Sequence, residues 1–166
     1  SSIIERVYSF EDLALTSNFK SFYDTNYKII NQANLILEYT PAITDATETE
    51  KNQIKAEALT IRAYAHFLLS LVYSQDYKYT PDASHLGIIY STESIKSGIK
   101  YPARKTAAET YSLIIEDLKT AIDNYSDSSL LTGSATSFFS QKSTKALLAR
   151  VYLQKGDWTN AYHVSN

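Results

Sequence analysis

Three histidines and one adjacent pair of carboxylates are the side chains of this sequence with the most obvious capacity for chemistry. His66, His85 and His163 lie far apart, and none stands at a spacing typical of metal ligands, so we expect structural roles for them. Glu116 and Asp117 are adjacent but fall on the polar side of a predicted amphipathic helix. We therefore expect both carboxylates to be solvated and to take no part in acid–base chemistry.

Nucleophile and phosphate motifs are also missing from the sequence. The 166 residues include no cysteine and only four glycines, with no G-x-S-x-G elbow and no glycine-rich phosphate loop. The two arginines Arg62 and Arg150 are expected to pair with carboxylates or to cap carbonyls between helices. We therefore predict a protein that is not an enzyme, with no catalytic residues, no cofactor and no metal.

The composition limits the kinds of partner. With 44% apolar and 20% charged residues, the 166-residue chain has the composition of one ordinary domain with a real core. A net charge of −2 with interspersed signs provides no basic stripe for nucleic acid and no polybasic patch for an anionic membrane. No apolar run approaches the roughly 20 residues of a membrane span. The charge distribution therefore indicates no particular class of partner.

The elements that would position any functional residue are helices. All glycines and prolines lie between periodic segments: Pro41, Pro81, Gly87, Gly98, Pro102, Gly133 and Gly156. The segments predict helices over residues 19–39, 48–74 and 143–155. Another runs from Thr106 through an apolar face that ends at Tyr125, and a last one begins at Trp158 after a Gly156 helix end and an Asp157 cap.

Capping and polarity refine this prediction. Thr47 with Glu50, and Thr106 with Glu109, have the spacing of capping boxes. Only four polar residues interrupt residues 58–73, so that helix should be central and covered on most sides. Residues 77–101 and 126–141 are predicted to be long irregular loops.

Two similar segments indicate a repeat of helical hairpins. ALTIRAY (58–64) and ALLARVY (146–152) share Ala, Leu, Arg and Tyr at the same places. The second segment continues through Gly156-Asp157-Trp158 to Ala161, which resembles the tetratricopeptide pattern. Small residues would let two antiparallel helices approach closely, while Leu and Tyr fill the seam. The predicted fold class is all-α, with tetratricopeptide-like antiparallel helical hairpins and two long loops.

Four blocks in order resemble the SusD/RagB family of Bacteroidetes. They are Tyr27-x-x-Ile30-x-x-Ala33-Asn34; Glu57-Ala58-x-x-x-Arg62-Ala63-Tyr64-x-x-Phe67; Arg104-Lys105-Thr106 leading to Tyr111-x-x-Ile114-x-x-Asp117-Leu118-x-x-Ala121; and Lys145-Ala146-Leu147-Leu148-Ala149-Arg150-Val151-Tyr152-Leu153 closing on Gly156-Asp157-Trp158-x-x-Ala161. Together they cover most of residues 20–163.

The resemblance implies a noncatalytic, surface-exposed outer-membrane lipoprotein that binds an oligosaccharide or other nutrient. Its partner would be a SusC-like TonB-dependent transporter, with no nucleic acid and with membrane attachment only through a lipid anchor outside this segment. We expect residues 1–166 to be a single helical domain of a longer protein, without its C-terminal ligand-binding part. This segment would then be mainly scaffold and docking surface.

The resemblance also implies a glycan-binding position. In the family an aromatic residue used in ligand binding, commonly Trp, often stands four residues before the Tyr of Tyr27-x-x-Ile30, and here that place holds Tyr23. Asn26 lies beside it as a possible partner for sugar hydroxyls. Two alternatives stay open. Tyr23 and Phe22 could be core residues of the first helix, and the whole chain could be a general tetratricopeptide adaptor that binds a protein or peptide in its groove.

Overall fold

The computed structural model describes Glu5 and residues 18–96, 102–126 and 139–165. From residue 18 onward these ranges contain five α-helices and a one-turn 3-10 helix: α1 Asn18–Tyr39, the 3-10 turn Thr40–Ala42, α2 Glu48–Tyr73, α3 Ala107–Asn124, α4 Gln141–Lys155 and α5 Trp158–Ser165. No β-strand occurs in this part of the chain, where one isolated antiparallel bridge joins Leu86 to Thr106. The predicted all-α class is confirmed.

Local side-chain chemistry sets where α2 and α3 begin. The Glu50 amide donates to the Thr47 hydroxyl at 3.3 Å, and the Thr47 amide donates to the Glu50 carboxylate at 2.7 Å. The Glu109 amide likewise donates to the Thr106 hydroxyl at 3.1 Å, and the Thr106 amide donates to the Glu109 carboxylate at 2.8 Å. Each box satisfies backbone N–H groups that a helix start leaves without an intrahelical partner. Both capping boxes predicted from the sequence are therefore confirmed.

Helix α4 is bounded by a serine pair and a glycine. Ser140 caps the helix by accepting from the Ser143 amide at 3.2 Å, so α4 begins two residues before the predicted start. Gly156 ends it in the left-handed conformation, with φ of +79°, which a residue without Cβ adopts at little cost. Asp157 then accepts from the Asn160 amide at 3.2 Å and starts α5, as predicted.

Helix α2 lies at the centre of the fold, as its thin polar stripe predicts. It packs against α1 on one side and α3 on another, and α4 packs on α3 and α5. Phe67 of α2 is buried among Tyr111, Ile114 and Leu118 of α3, in a cluster that continues to α4. Leu69 of α2 packs instead with residues of α1. The core is therefore built on both sides of one helix.

The two similar segments lie in different environments. Leu59 and Leu147 are both buried, as expected for residues of a helical seam. Tyr152 is also buried, at 4% exposure, but Tyr64 is 36% exposed, with its ring 6.2 Å from that of Phe139. The expectation that both tyrosines fill a seam is confirmed for Tyr152 and wrong for Tyr64. The two tyrosines differ in exposure because different elements lie beside them.

The segment after α2 is irregular as far as residue 96, as predicted. Its backbone pairs with the residues before α3, where the Gly87 amide donates to the Lys105 carbonyl and the Lys105 amide donates to the Ile88 carbonyl, both at 2.8 Å. Residues 97–101 of this predicted loop, and 127–138 of the second one, lie outside the described residues. Across the described helices, none combines the length and apolar character needed to cross a membrane.

Candidate functional site

A buried polar network joins the three helices α1, α2 and α3 at Arg62. Its guanidinium donates to both oxygens of the Asp117 carboxylate, at 2.7 Å from Nε and 2.6 Å from Nη2. The remaining Nη1 donates to the Asn34 side-chain oxygen at 2.9 Å. Burial acts to lower the pKa of Arg62, but the adjacent carboxylate outweighs it and holds the pKa above its ordinary value. Arg62 is therefore a charged, fully engaged structural residue.

The same network fixes residues 88–95, hereafter the strap. The Tyr90 hydroxyl donates to Asp117 at 2.6 Å, and the Tyr90 ring stacks on His66 with centroids 3.8 Å apart. The Ser91 amide donates to Nε2 of His66 at 3.1 Å, so Nδ1 carries the proton and donates to the Arg62 carbonyl at 2.9 Å. Asn34 of α1 also donates to the Ser91 and Glu93 carbonyls, at 3.2 and 3.0 Å, so side chains of three helices hold the strap.

Titration in this network is suppressed by burial. Burial lowers the pKa of His66 to about 3, with the Arg62 carbonyl opposing this shift and the Arg62 charge adding to it. Burial and the neighbouring Asp117 charge raise the pKa of Tyr90 well above its usual range. Every polar atom described above already has a protein partner, so the arrangement positions backbone instead of holding a reacting group.

Asp117 corrects an expectation from the sequence. Its neighbour Glu116 is exposed as predicted, but Asp117 is buried beneath Arg62 and Tyr90. The helical pattern of α3 alone placed both carboxylates on a polar face. Asp117 can be buried because Arg62 of α2 supplies a compensating positive charge. A pattern within α3 cannot reveal a partner on another helix. The expectation that Arg62 pairs with a carboxylate between helices is confirmed, whereas Arg150 is exposed.

Tyr23 and Asn26, the predicted glycan-binding residues, lie in the first half of α1. The Tyr23 ring is half-buried, 4.6 Å from the ring of Tyr27 and 5.2 Å edge-on from that of Tyr73. Asn26 is only 5% exposed, and its amide donates to the Phe22 carbonyl at 2.9 Å. A glycan contact by either residue stays a prediction, because the structure contains no ligand.

The aromatic cluster around Tyr23 includes a residue that the sequence did not indicate. Tyr73 stands at the last position of α2, 50 residues after Tyr23, and its hydroxyl donates to the Phe19 carbonyl. Tyr27 reaches across to the strap, where its hydroxyl donates to the Ile89 carbonyl at 2.8 Å. Burial first, and the neighbouring Tyr23 second, raise the pKa of Tyr27. These hydroxyls therefore stay protonated donors.

The other histidines lie apart from this network. The His85 ring is 2.9 Å from the Thr80 hydroxyl, and His163 is exposed on α5. Within residues 18–96, 102–126 and 139–165, no three His, Asp or Glu side chains come together in a way that could hold a metal ion.

The fold and the network define the class of protein. Antiparallel helices pack in hairpins, α1 on α2 and α4 on α5, with small residues such as Ala65, which clusters with Ile30 of α1, and Ala161 buried between them. This is the helical-hairpin scaffold of tetratricopeptide type, here crossed by a strap that its own polar side chains hold in place.

A family model then identifies the particular group. The SusD-like model, described as starch-binding and associating with the outer membrane, matches residues 3–153. The chain belongs to this SusD-like family.

Individual relatives agree with the family match. A SusD-like protein of Bacteroides ovatus is 28% identical over 156 residues, which are 92% of this chain and 25% of that protein. A solved SusD superfamily structure from Bacteroides vulgatus is 25% identical with a TM-score of 0.84, covering 99% of this chain and 36% of the other. A laminarin-binding SusD-like protein is 26% identical with a TM-score of 0.70, covering 87% and 28%. The chain thus spans about a quarter to a third of the length of these relatives.

Proposed function

We propose that the chain is the helical scaffold of a noncatalytic, cell-surface glycan-binding protein. The family match over residues 3–153 carries this proposal, because the family is described by starch binding and by association with the outer membrane. The relative described as laminarin-binding, whose fold matches with a TM-score of 0.70, supports a glycan as the ligand class. The buried, fully paired network around Arg62 is consistent with a scaffold role.

The proposed contribution of this chain to the ligand is the aromatic cluster on α1 and α2. An aromatic ring suits a pyranose because the apolar C–H side of the sugar packs on the ring. Tyr23 is half-buried, and its edge-on contact with Tyr73 holds its ring in one orientation, so little side-chain entropy remains to be lost on binding. Tyr23 is therefore the residue of this cluster that we propose stacks on a sugar.

Asn26 takes a supporting position in this proposal. With 5% exposure and its amide bonded to the Phe22 carbonyl, it has little surface to offer a hydroxyl group directly. Its hydrogen bond lies within the helical turn that carries Phe22 and Tyr23. We propose that Asn26 positions Tyr23 and contacts a sugar only if its side chain turns outward.

A glycan-binding measurement tests the proposal. Affinity electrophoresis with laminarin and with amylose would compare the parent protein, in its full-length form, with Tyr23→Ala. The control is Tyr39→Ala, which removes an exposed tyrosine at the other end of the same helix. We expect Tyr23→Ala to weaken binding about tenfold through the lost ring contact, with Tyr39→Ala unchanged. Equal binding by Tyr23→Ala would remove Tyr23 from the site. Failure of the parent protein to bind any glycan would reject the ligand class.

The location and the partner are also proposed from family membership. We propose surface exposure on the outer membrane through a lipid anchor, and cooperation with a SusC-like TonB-dependent transporter. Because the 166 residues contain no cysteine, the lipidated residue of such an anchor would belong to other sequence. Affinity purification of the tagged full-length protein from detergent-solubilised outer membranes tests both. Recovery without any transporter, or from the soluble fraction, would contradict this part of the proposal.

A further inference from the structure

An open apolar groove lies between the two helices of the first hairpin. Its volume is about 420 Å³, and its apolar lining includes Ile36 of α1 and Ile54 and Ile61 of α2. Ile36 is 43% exposed, so a large branched side chain of the groove faces water. An apolar surface of this kind loses free energy when another apolar group covers it.

The apolar stripe continues beyond the groove along both helices. Seven residues before Ile36 stands Ile29, which is also exposed, and seven after Ile61 stands half-buried Leu68. Residues seven apart lie on nearly the same side of a helix. From Ile54 to Leu68 the stripe is about 21 Å long, which matches an α-helix of about 14 residues.

The rim of the groove carries one sign of charge. Asp45, Glu50 and Glu57 line it, and none of the described lining residues is Lys, Arg or His. Glu50 stays anionic because its hydrogen bonds from the Thr47 backbone and hydroxyl lower its pKa. Within the part of the chain that the structure describes, the hydrogen bond to the Glu57 carboxylate comes from a neutral amide, that of Gln53 at 2.9 Å. The rim therefore selects a positively charged partner.

We infer that this groove docks a cationic amphipathic helix of a partner protein. Apolar side chains of that helix cover Ile36 and Ile61, and its Lys or Arg residues face Asp45, Glu50 and Glu57. The chain itself is a poor occupant, because residues 1–17 contain three acidic side chains (Glu5, Glu11 and Asp12) against one basic residue, Arg6. A second copy carries a net charge of −2 as a whole. The inference does not depend on glycan binding.

The test is direct binding of a defined probe to the parent protein in its full-length form. The probe is a fluorescein-labelled peptide of about 14 residues with Leu at helical spacing and Lys elsewhere. Its binding is measured by fluorescence anisotropy. Its control is the same peptide with Glu in place of Lys. We expect binding of the Lys peptide only, weakened by added salt because the charges on the rim are exposed.

Paired variants localise the contact. Ile36→Ser should weaken binding about tenfold by removing apolar contact, while Leu153→Ser, at a similarly exposed position on α4, should not change it. Glu57→Gln should weaken binding about threefold, while Glu116→Gln on α3 should not. Ile36 is exposed, so its replacement is expected to leave the fold intact, which a thermal melt checks.

Three results would overturn the inference. The first is equal binding of the Glu peptide, and the second is unchanged affinity in both Ile36→Ser and Glu57→Gln. The third is displacement of the probe by a synthetic peptide of residues 1–17, or concentration-dependent self-association that Ile36→Ser abolishes. In the third case the groove would be occupied by the chain itself.

Discussion

The guanidinium of Arg62 and the carboxylate of Asp117 form a two-pronged ion pair in the interior, with hydrogen bonds of 2.7 and 2.6 Å. The pair connects the middle of α2 to α3. Both side chains are nearly inaccessible, at 9% and 11% of their surface. Loss of one partner would leave the other charge buried without compensation.

Asp117→Asn is accordingly expected to be strongly destabilising. It leaves a neutral acceptor for a buried cation, and it weakens the bond from Tyr90. We expect the free energy of unfolding to fall by about 3 kcal/mol or more, measured by urea denaturation with circular dichroism. Glu116→Gln, at the exposed neighbouring position, should change it by less than about 0.5 kcal/mol. A loss below about 1 kcal/mol for Asp117→Asn would show that the pair is not essential.

His66 predicts a specific dependence of stability on pH. Unfolded, its imidazole binds a proton below pH about 6.5, whereas burial lowers its pKa to about 3 in the fold. Between these values the unfolded state holds more protons, so stability is full above pH 6.5 and decreases by about 1.4 kcal/mol per unit as the pH falls toward 3. His66→Gln should reduce this slope. The measurement is the urea midpoint from pH 7.5 to 5.

The matched control for His66 is His163→Gln, which removes an exposed histidine of α5. Carboxylates also titrate at low pH, so only the difference between variants is assigned to His66. If His66→Gln keeps the parental slope between pH 6.5 and 5, the neutral, buried role of His66 is wrong.

Three hydroxyl groups are expected to act together where α2, α3 and α4 meet. Thr60 lies 3.1 Å from the Tyr125 hydroxyl and 3.0 Å from that of Thr144, and Thr144 donates to Tyr125 at 3.1 Å. Thr60→Val and Thr144→Val should each cost about 1 kcal/mol, and the double variant less than their sum. Thr159→Val, at an exposed position of α5, is the control. Strict additivity in the double-mutant cycle would argue against coupling.

Gly87 is expected to tolerate no side chain. A Cβ there would lie 2.4 Å from the Thr110 hydroxyl and 2.8 Å from the Thr106 carbonyl, which α3 holds in place. Gly87→Ala should destabilise the fold by about 1–3 kcal/mol, measured as a lower melting temperature. Adding Thr110→Ala should restore only part of the lost stability, because the Thr106 carbonyl would still lie too close to the new Cβ. Ser84→Ala in the same segment should have little effect.

The ring and the hydroxyl of Tyr23 are expected to contribute differently to glycan binding. If the ring stacks on a sugar, Tyr23→Phe should keep affinity within about threefold, whereas Tyr23→Ala loses it. Isothermal titration with laminarin separates the two. Equal losses in both variants would assign the contact to the hydroxyl group and contradict stacking.

The helices and their ends could be predicted because they depend on neighbours in the sequence. The Thr47–Glu50 and Thr106–Glu109 boxes and the Gly156 helix end involve residues within three or four positions of one another. The same reasoning failed for Asp117, whose partner Arg62 stands 55 residues away on another helix. It also gave no sign of Tyr73, which meets Tyr23 only because α1 and α2 run antiparallel.

ALTIRAY and ALLARVY show the division between sequence and tertiary structure. The sequence by itself determined that both segments are helical, that each buries its leucine, and that the chain has helical hairpins, since periodicity and capping are local properties. Only the tertiary structure decided that Arg62 is buried against Asp117 while Arg150 is exposed, and that Tyr152 is buried while Tyr64 is not. The reason is physical: burial of a side chain depends on which elements lie beside its own position. Arg62 lies against α1 and α3, and Tyr152 packs in the cluster that contains Phe67 and Leu118, whereas Arg150 and Tyr64 lie on exposed faces of their helices.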